Sequence, residues 1–221
     1  MKKTLLYTGS PRDDIIQEWR NLGFEVLVAP VFSYQKLPFT LPNLEEISFC
    51  IISSQRTVHI LKPILPELVQ RGVAFYVVGQ KTASMLQKFG VSIREIGEKG
   101  FLAIKNKLPE NQLGIFFGAK ELAEPATEYL NWNPMVVHVP VYQQHKREIL
   151  ITNKIDGIIT TSPKGVEIMG ENEAWKELPL FVLGDSSAKK ADEMGFSLVF
   201  KCKTPQLENL AEAIQRCFLG L

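Results

Sequence analysis

Val77-Val78-Gly79-Gln80-Lys81-Thr82-Ala83 is an apolar run that stops at a glycine and continues in residues able to start a helix. Val182-Leu183-Gly184-Asp185-Ser186-Ser187-Ala188 repeats that order 105 residues later. A helix follows each, closing at Gly90 or Gly195, and then a short strand, Val91-Ser92-Ile93 or Ser197-Leu198-Val199. Upstream, Phe49-Cys50-Ile51-Ile52-Ser53-Ser54 with Val58 matches Gly157-Ile158-Ile159-Thr160-Thr161-Ser162 with Val166, at a spacing of 108. Further out, Thr4-Leu5-Leu6-Tyr7, a helix through Trp19 ended by Gly23, and Phe24 to Val28 return as Gly114-Ile115-Phe116-Phe117, a helix near Leu122 to Leu130, and Val136 to Val139. That third match aligns Phe32 with Tyr142, at a spacing of 110. The last helices are expected from about Phe101 to Leu108 and from about Leu207 to Phe218. Three matches in order at nearly constant spacing mark an internal duplication.

Continuous β-branched runs alternating with helices are the pattern of parallel sheets covered on both faces. The fold class expected is α/β, with two doubly wound, flavodoxin-like domains of about five strands each. In such sheets ligands bind at the carboxyl ends of the strands, where turns feed helix N-termini. Four polar turns fall there: Ser53-Ser54-Gln55-Arg56, Gly79-Gln80-Lys81-Thr82, Thr161-Ser162-Pro163-Lys164 and Gly184-Asp185-Ser186-Ser187. The two domains are expected to face a shared cleft.

The chain has 221 residues and a net charge of +1 from 25 basic and 24 acidic residues, so a global field for nucleic acid or an acidic membrane is absent. The apolar run after Met1-Lys2-Lys3 is broken at Thr8-Gly9-Ser10-Pro11, too early for a signal peptide, and no stretch approaches the ~20 apolar residues of a membrane helix. A cytoplasmic protein is expected. Cys50, Cys202 and Cys217 are scattered and read as buried thiols. His59, His138 and His145 are too dispersed for a metal site, and no Cys-x-x-Cys occurs. Neither G-x-G-x-x-G nor G-K-[ST] is present, which argues against nucleotides. No cofactor and no metal are expected.

Ser162-Pro163 has the N-cap and first-turn signature, and Ser10-Pro11 repeats it, with Asp13 placed to complete a capping box. For Ser10 a helix start explains everything. The four paired turns carry more: glycines that permit close backbone approach, small hydroxyls, and free N–H groups that bind carboxylates. Arg56, Lys81 and Lys164 stand beside them, each a solvated surface cation when taken alone. The inventory describes an anion-binding cleft.

These residues resemble the uroporphyrinogen-III synthase family over nearly the whole chain. The resemblance rests on Val77 to Ala83 with Gly90, Ile52-Ser53-Ser54 with Val58, Pro140-Val141-Tyr142, Thr161-Ser162-Pro163 with Val166, and Thr204-Pro205-Gln206. It implies a discontinuous domain of residues 1–31 and 147–221, a second domain of residues 38–138, and a two-stranded ladder of residues 32–37 and 139–146 acting as a hinge. It implies a lyase acting on hydroxymethylbilane, an open tetrapyrrole with eight carboxylates and a leaving hydroxyl; a monomer is expected. Tyr142 matches the family's tyrosine near that leaving group. Ser54, Gly79, Thr82, Ser162 and Ser187 match its carboxylate-binding positions, with Ser53, Gln55, Arg56, Lys81, Thr161, Pro163, Lys164, Gly184 and Ser186 alongside in the same turns. Ser187 stands where the family usually has threonine, and Gly9 and Leu122 fall where arginines are common. Asp185 adds an anion to an anion site. A non-catalytic cleft protein binding a polyanion shares all these features except Tyr142's role. A glycosyltransferase-like enzyme lacks the nucleotide signature.

Overall fold

The computed structural model describes residues 2–98, 100–204 and 206–220. Met1, Lys99, Leu221 and Pro205 of the Thr204-Pro205-Gln206 motif lie outside them. The elements run β1 (Thr4–Tyr7), α1 (Asp13–Asn21), β2 (Glu25–Val28), β3 (Phe32–Lys36), β4 (Phe49–Ile52), α2 (Gln55–Leu61), α3 (Leu65–Gln70), β5 (Ala74–Val78), α4 (Gln80–Gln87), β6 (Ile93–Gly97) and α5 (Leu102–Lys105). They continue as β7 (Gly114–Ala119), α6 (Ala126–Trp132), β8 (Val136–Lys146), β9 (Gly157–Thr160), α7 (Pro163–Gly170), β10 (Leu180–Val182), α8 (Asp185–Met194), β11 (Val199–Lys201) and α9 (Leu210–Leu219). By its contacts the chain divides into two compact units, Met1–Ser33 with Lys146–Leu221, and Tyr34–His145.

The first unit holds a five-stranded parallel sheet in the order β2-β1-β9-β10-β11. Successive residues of a strand point to opposite faces, so its apolar runs serve two cores. Leu5, Tyr7, Ile159 and Phe181 pack on one face with Ile15, Ile16 and Trp19 of α1 and Leu210 and Ile214 of α9. Leu6, Ile158, Leu180 and Val182 pack on the other with Val166 and Met169 of α7 and Ala191 of α8. Each Leu, Ile, Val, Phe or Met among them, once buried, contributes roughly 1.5–3 kcal/mol before entropy is counted. Trp19 is fully buried, and its indole Nε1 has no acceptor among the described residues.

In the second unit the order β8-β7-β4-β5-β6 is again parallel, with β3 added outside β8. Leu37 N donates to Val141 O and Arg147 N to Val31 O, so β3 and β8 run antiparallel. Cys50, Ile52, Val77, Ile115 and Phe117 fill one face, and Phe49, Ile51, Tyr76 and Phe116 the other. Both sheets have the doubly wound form, reversing direction between β1 and β9 and between β7 and β4. The equivalent strand pair comes first in the chain for one sheet and last for the other, because the chain leaves the first unit after β2 and returns after β8.

Several boundaries differ from the sequence reading. Ser10 caps nothing: α1 starts at Asp13 on Arg12, whose carbonyl accepts Ile16 N–H, and the Ser10 carbonyl accepts the Tyr7 hydroxyl at 2.9 Å. The capping box expected between Ser10 and Asp13 does not form, and in the same turn Asp14 is bonded by Arg12. The helix expected from Leu122 begins only after Pro125, which supplies no N–H. The one expected over Phe101 to Leu108 is a single turn, α5, confined between Gly100, at φ 101°, and Pro109. Strands β6 and β11 begin two residues later than expected. Among the described residues no helix is long and apolar enough to cross a membrane.

One pH effect follows from the first unit. The Asp156 carboxylate accepts the Thr4 N–H at 2.9 Å and Lys3 Nζ at 3.0 Å, which holds its pKa below the usual range, the backbone bond being the larger cause. A depressed folded-state pKa stabilises above the unfolded value, about 3.9, and that contribution is lost as pH falls through the folded value. Asp156→Asn is therefore expected to lower stability at neutral pH and to flatten its fall below about pH 4. Denaturant midpoints measured from pH 7 to pH 2 check this; parallel curves for the two proteins would contradict it.

Candidate active site

The second unit brings together the largest number of the expected residues. Strand β4 ends at Ile52, and Ser53 and Ser54 turn the chain into α2. Ser54 is the N-cap: its Oγ accepts Thr57 N–H at 3.1 Å and lies 2.9 Å from Thr57 Oγ1. Gln55 is exposed and Arg56 half-buried in the first turn. Strand β5 ends at Val78, and Gly79 caps α4 at φ 87°, its N–H donating to Gly97 O and its carbonyl accepting from Thr82 and Ala83. Lys81 is exposed, whereas Thr82 is 5 % exposed.

Tyr142 reaches this rim through an irregularity. Gly118 is paired with Pro140 but Ala119 with Tyr142, so the register of β7 and β8 shifts by one residue there. A bulge re-aims side chains. Strict alternation after Val139 and Val141 would send Tyr142 to the opposite face, yet all three belong to one core cluster. The Tyr142 hydroxyl points at Ser54 Oγ, 3.4 Å away, and Tyr142 is 8 % exposed. The Arg56 guanidinium carbon lies 5.3 Å from the centre of the Tyr142 ring and 3.2 Å from that of Tyr34. Tyr34 and Thr57 were not singled out from the sequence. Thr57 was findable as the third residue after the Ser54 cap; Tyr34 carries no motif.

In the first unit Ser162 caps α7, its Oγ accepting Gly165 N–H at 3.1 Å, with Pro163 at the first helical position. Gly165 is required because a Cβ there would collide with Thr160 Oγ1. Thr161 is half-buried and Lys164 exposed. Gly184 caps α8 at φ −150°, extended backbone open to any residue, so unlike Gly79 it is not demanded by its conformation. Ser186 is exposed and Ser187 3 % exposed. Asp185 is ion-paired with Lys201, which offsets the anion that the sequence placed in this turn.

The hydroxyls thus divide into two kinds. Those of Ser54 and Ser162 accept backbone N–H groups and retain one proton to donate. Those of Thr82 and Ser187, buried at the second turn of each unit, have no side-chain hydrogen bond among the described residues. At the two positions where the resemblance leads one to expect arginine, a Cβ on Gly9 would lie 2.5 Å from the Tyr7 hydroxyl, and Leu122 packs against the Phe116 and Tyr129 cluster, its Cδ2 2.9 Å from a Cβ placed on Gly118. His138 is half-buried on β8 with Nε2 3.0 Å from Ala119 O, and burial lowers its pKa. Burial pushes the Cys202 thiol up to about 11 and raises those of Cys50 and Cys217, so none of the three is a ready thiolate.

Residues 13–116 match the family model described as uroporphyrinogen-III synthase HemD. No curated protein sequence matches the chain. Among solved structures, a mutant uroporphyrinogen III synthase from Thermus thermophilus is similar at a TM-score of 0.72 and 17% identity, with 99% of this chain and 100% of that one covered. Uroporphyrinogen-III synthetase from Helicobacter pylori 26695 is similar at 0.66 and 17%, with 100% and 99% covered. Residues 13–116 therefore carry the sequence pattern of the uroporphyrinogen-III synthase family, and the full length of the chain carries its fold.

Proposed function

We propose that the chain is a uroporphyrinogen-III synthase, a cofactor-free cytoplasmic lyase that acts as a monomer on hydroxymethylbilane. It closes the tetrapyrrole with loss of water and inversion of ring D. The observation that supports this most directly is the Tyr142 hydroxyl, turned by the bulge onto the rim where α2 and α4 begin.

The chemistry needs few protein groups. A proton from the Tyr142 phenol lets the terminal hydroxyl leave as water, giving an azafulvenium. The substituted carbon of ring D, at the other end of the chain, attacks the azafulvenium carbon to give a spiro intermediate. The bond from that ring carbon to the ring C methylene then breaks, and the free α-carbon of ring D closes onto that methylene, which inverts ring D. Loss of a ring proton then restores the aromatic pyrrole and, through solvent, the phenol. What the enzyme supplies is the fold of the substrate that selects the crowded carbon, which is catalysis by positioning. In this reading Ser53, Ser54, Gln55, Arg56, Gly79, Lys81 and Thr82 bind carboxylates from the second unit. Thr161, Ser162, Pro163, Lys164, Gly184, Ser186 and Ser187 do so from the first. The Thr82 and Ser187 hydroxyls, without side-chain hydrogen bonds among the described residues, suit that role. The division into domains of residues 1–31 with 147–221 and 38–138, hinged at 32–37 and 139–146, belongs to the same proposal.

Incubation with freshly prepared hydroxymethylbilane, followed by oxidation and chromatography of the porphyrin isomers, tests it. The type III isomer is expected in excess. Type I alone, formed at the spontaneous rate, would leave a polyanion-binding protein without this activity.

A further inference from the structure

We propose that Tyr34 is a positioning residue: its ring is the surface on which the Arg56 guanidinium is held, edge outward, beside the Tyr142 phenol to receive a substrate carboxylate. The proposal rests on the synthase reading and extends it to a residue that no motif marks. The guanidinium carbon is 3.2 Å from the centre of the Tyr34 ring, and the Tyr34 and Tyr142 rings meet edge to face with centres 6.1 Å apart and planes at 68°. Three elements supply the cluster: β3 brings Tyr34, α2 brings Arg56 and β8 brings Tyr142, all within the second unit.

The stack matters for what it leaves unused. Arg12, Arg71 and Arg216 are held by carboxylates, whereas Arg56 has no hydrogen bond or ion pair among the described residues. A guanidinium lying on an aromatic face spends that face on the cation–π contact and keeps its in-plane N–H fork free. That fork binds a carboxylate through two parallel hydrogen bonds. A free arginine must give up its rotamers to do so; one already stacked has given them up before the substrate arrives. Tyr34 is 37 % exposed and belongs to none of the core clusters, its ring contacts among the described residues being those with Arg56 and Tyr142. The contact with Arg56 is made by the Tyr34 ring and does not use its hydroxyl.

Tyr34→Leu and Tyr34→Phe separate the two. Tyr34→Leu is expected to raise KM for hydroxymethylbilane about fivefold to tenfold, with kcat changed less than about twofold, and Tyr34→Phe to restore the wild-type KM. In an Arg56→Ala background Tyr34→Leu should have no further effect. A second readout needs no turnover: NMR signals of the Arg56 side chain should be shifted upfield by ring currents in the wild type and in Tyr34→Phe, and should return to ordinary positions in Tyr34→Leu. Unshifted Arg56 signals in the wild type, or effects of Tyr34→Leu and Arg56→Ala that simply add, would overturn the proposal. Failure of the synthase reading registers elsewhere, as absence of the type III isomer from the wild-type protein.

Discussion

Tyr142→Phe is expected to lower kcat about a hundredfold, the low end of what a positioned proton donor contributes, while leaving KM and the folded structure nearly unchanged. The ring is what packs: Tyr142 is 8 % exposed within the core cluster of the second unit, and the duplicated position in the first unit is Phe32, an aromatic without a hydroxyl. Among the described residues the hydroxyl's one side-chain partner is Ser54 Oγ at 3.4 Å, too long a contact to add much stability. Ser54 keeps its cap on Thr57 N–H in the variant. On the proposed mechanism, loss of the phenol removes a donor needed only as the hydroxyl of the substrate departs, and an interaction confined to that step lowers kcat rather than raising KM. A second signature is expected in the products, where type I rises as spontaneous closure competes with slowed catalysis. A kcat within about twofold of the wild type would remove Tyr142 from proton transfer and leave it a packing residue.

Gly79→Ala is expected to cost roughly 1–3 kcal/mol of local stability and to weaken substrate binding, whereas Gly184→Ala, at the matching position of the repeat, adds no backbone strain of that kind. Nothing lies within 4 Å of a Cβ built on Gly79, so collision is not the cause. The cause is φ at 87°, a conformation side-chain-bearing residues rarely adopt. An alanine that relaxes φ there moves the carbonyl that accepts Thr82 N–H at 3.1 Å and the N–H that donates to Gly97 O at 3.0 Å, and with them the rim that holds Thr82. At Gly184, φ of −150° suits any residue. Hydrogen exchange resolves the effect by unit: amides of β4 and β5 should lose protection in Gly79→Ala, and those of β9 and β10 should keep theirs in both variants. Equal costs at the two glycines would mean that the backbone difference between the turns is energetically empty.

The same pair shows where sequence reading stops. Gly79 and Gly184 stand in matching strings, and the sequence treats them alike; the folded chain puts φ at 87° in one turn, where the Gly79 N–H donates to Gly97 O, and at −150° in the other. Ser162-Pro163 read correctly as a helix start because capping is local, settled within four residues. Ser10-Pro11 read the same way and was wrong, because Tyr7 claims the Ser10 carbonyl.

By itself the sequence determined the α/β class, the duplication, the parallel character of the sheets and the turns at the carboxyl ends of the strands. All of these follow from periodicities and glycine positions that act over a few residues. The tertiary structure alone decided which residues share a rim. Tyr142 faces Ser54 only because β7 and β8 slip by one residue past Pro140, and Tyr34 meets Arg56 only because β3 lies against β8. Register between strands is fixed by the packing of whole faces, which no short stretch of chain encodes.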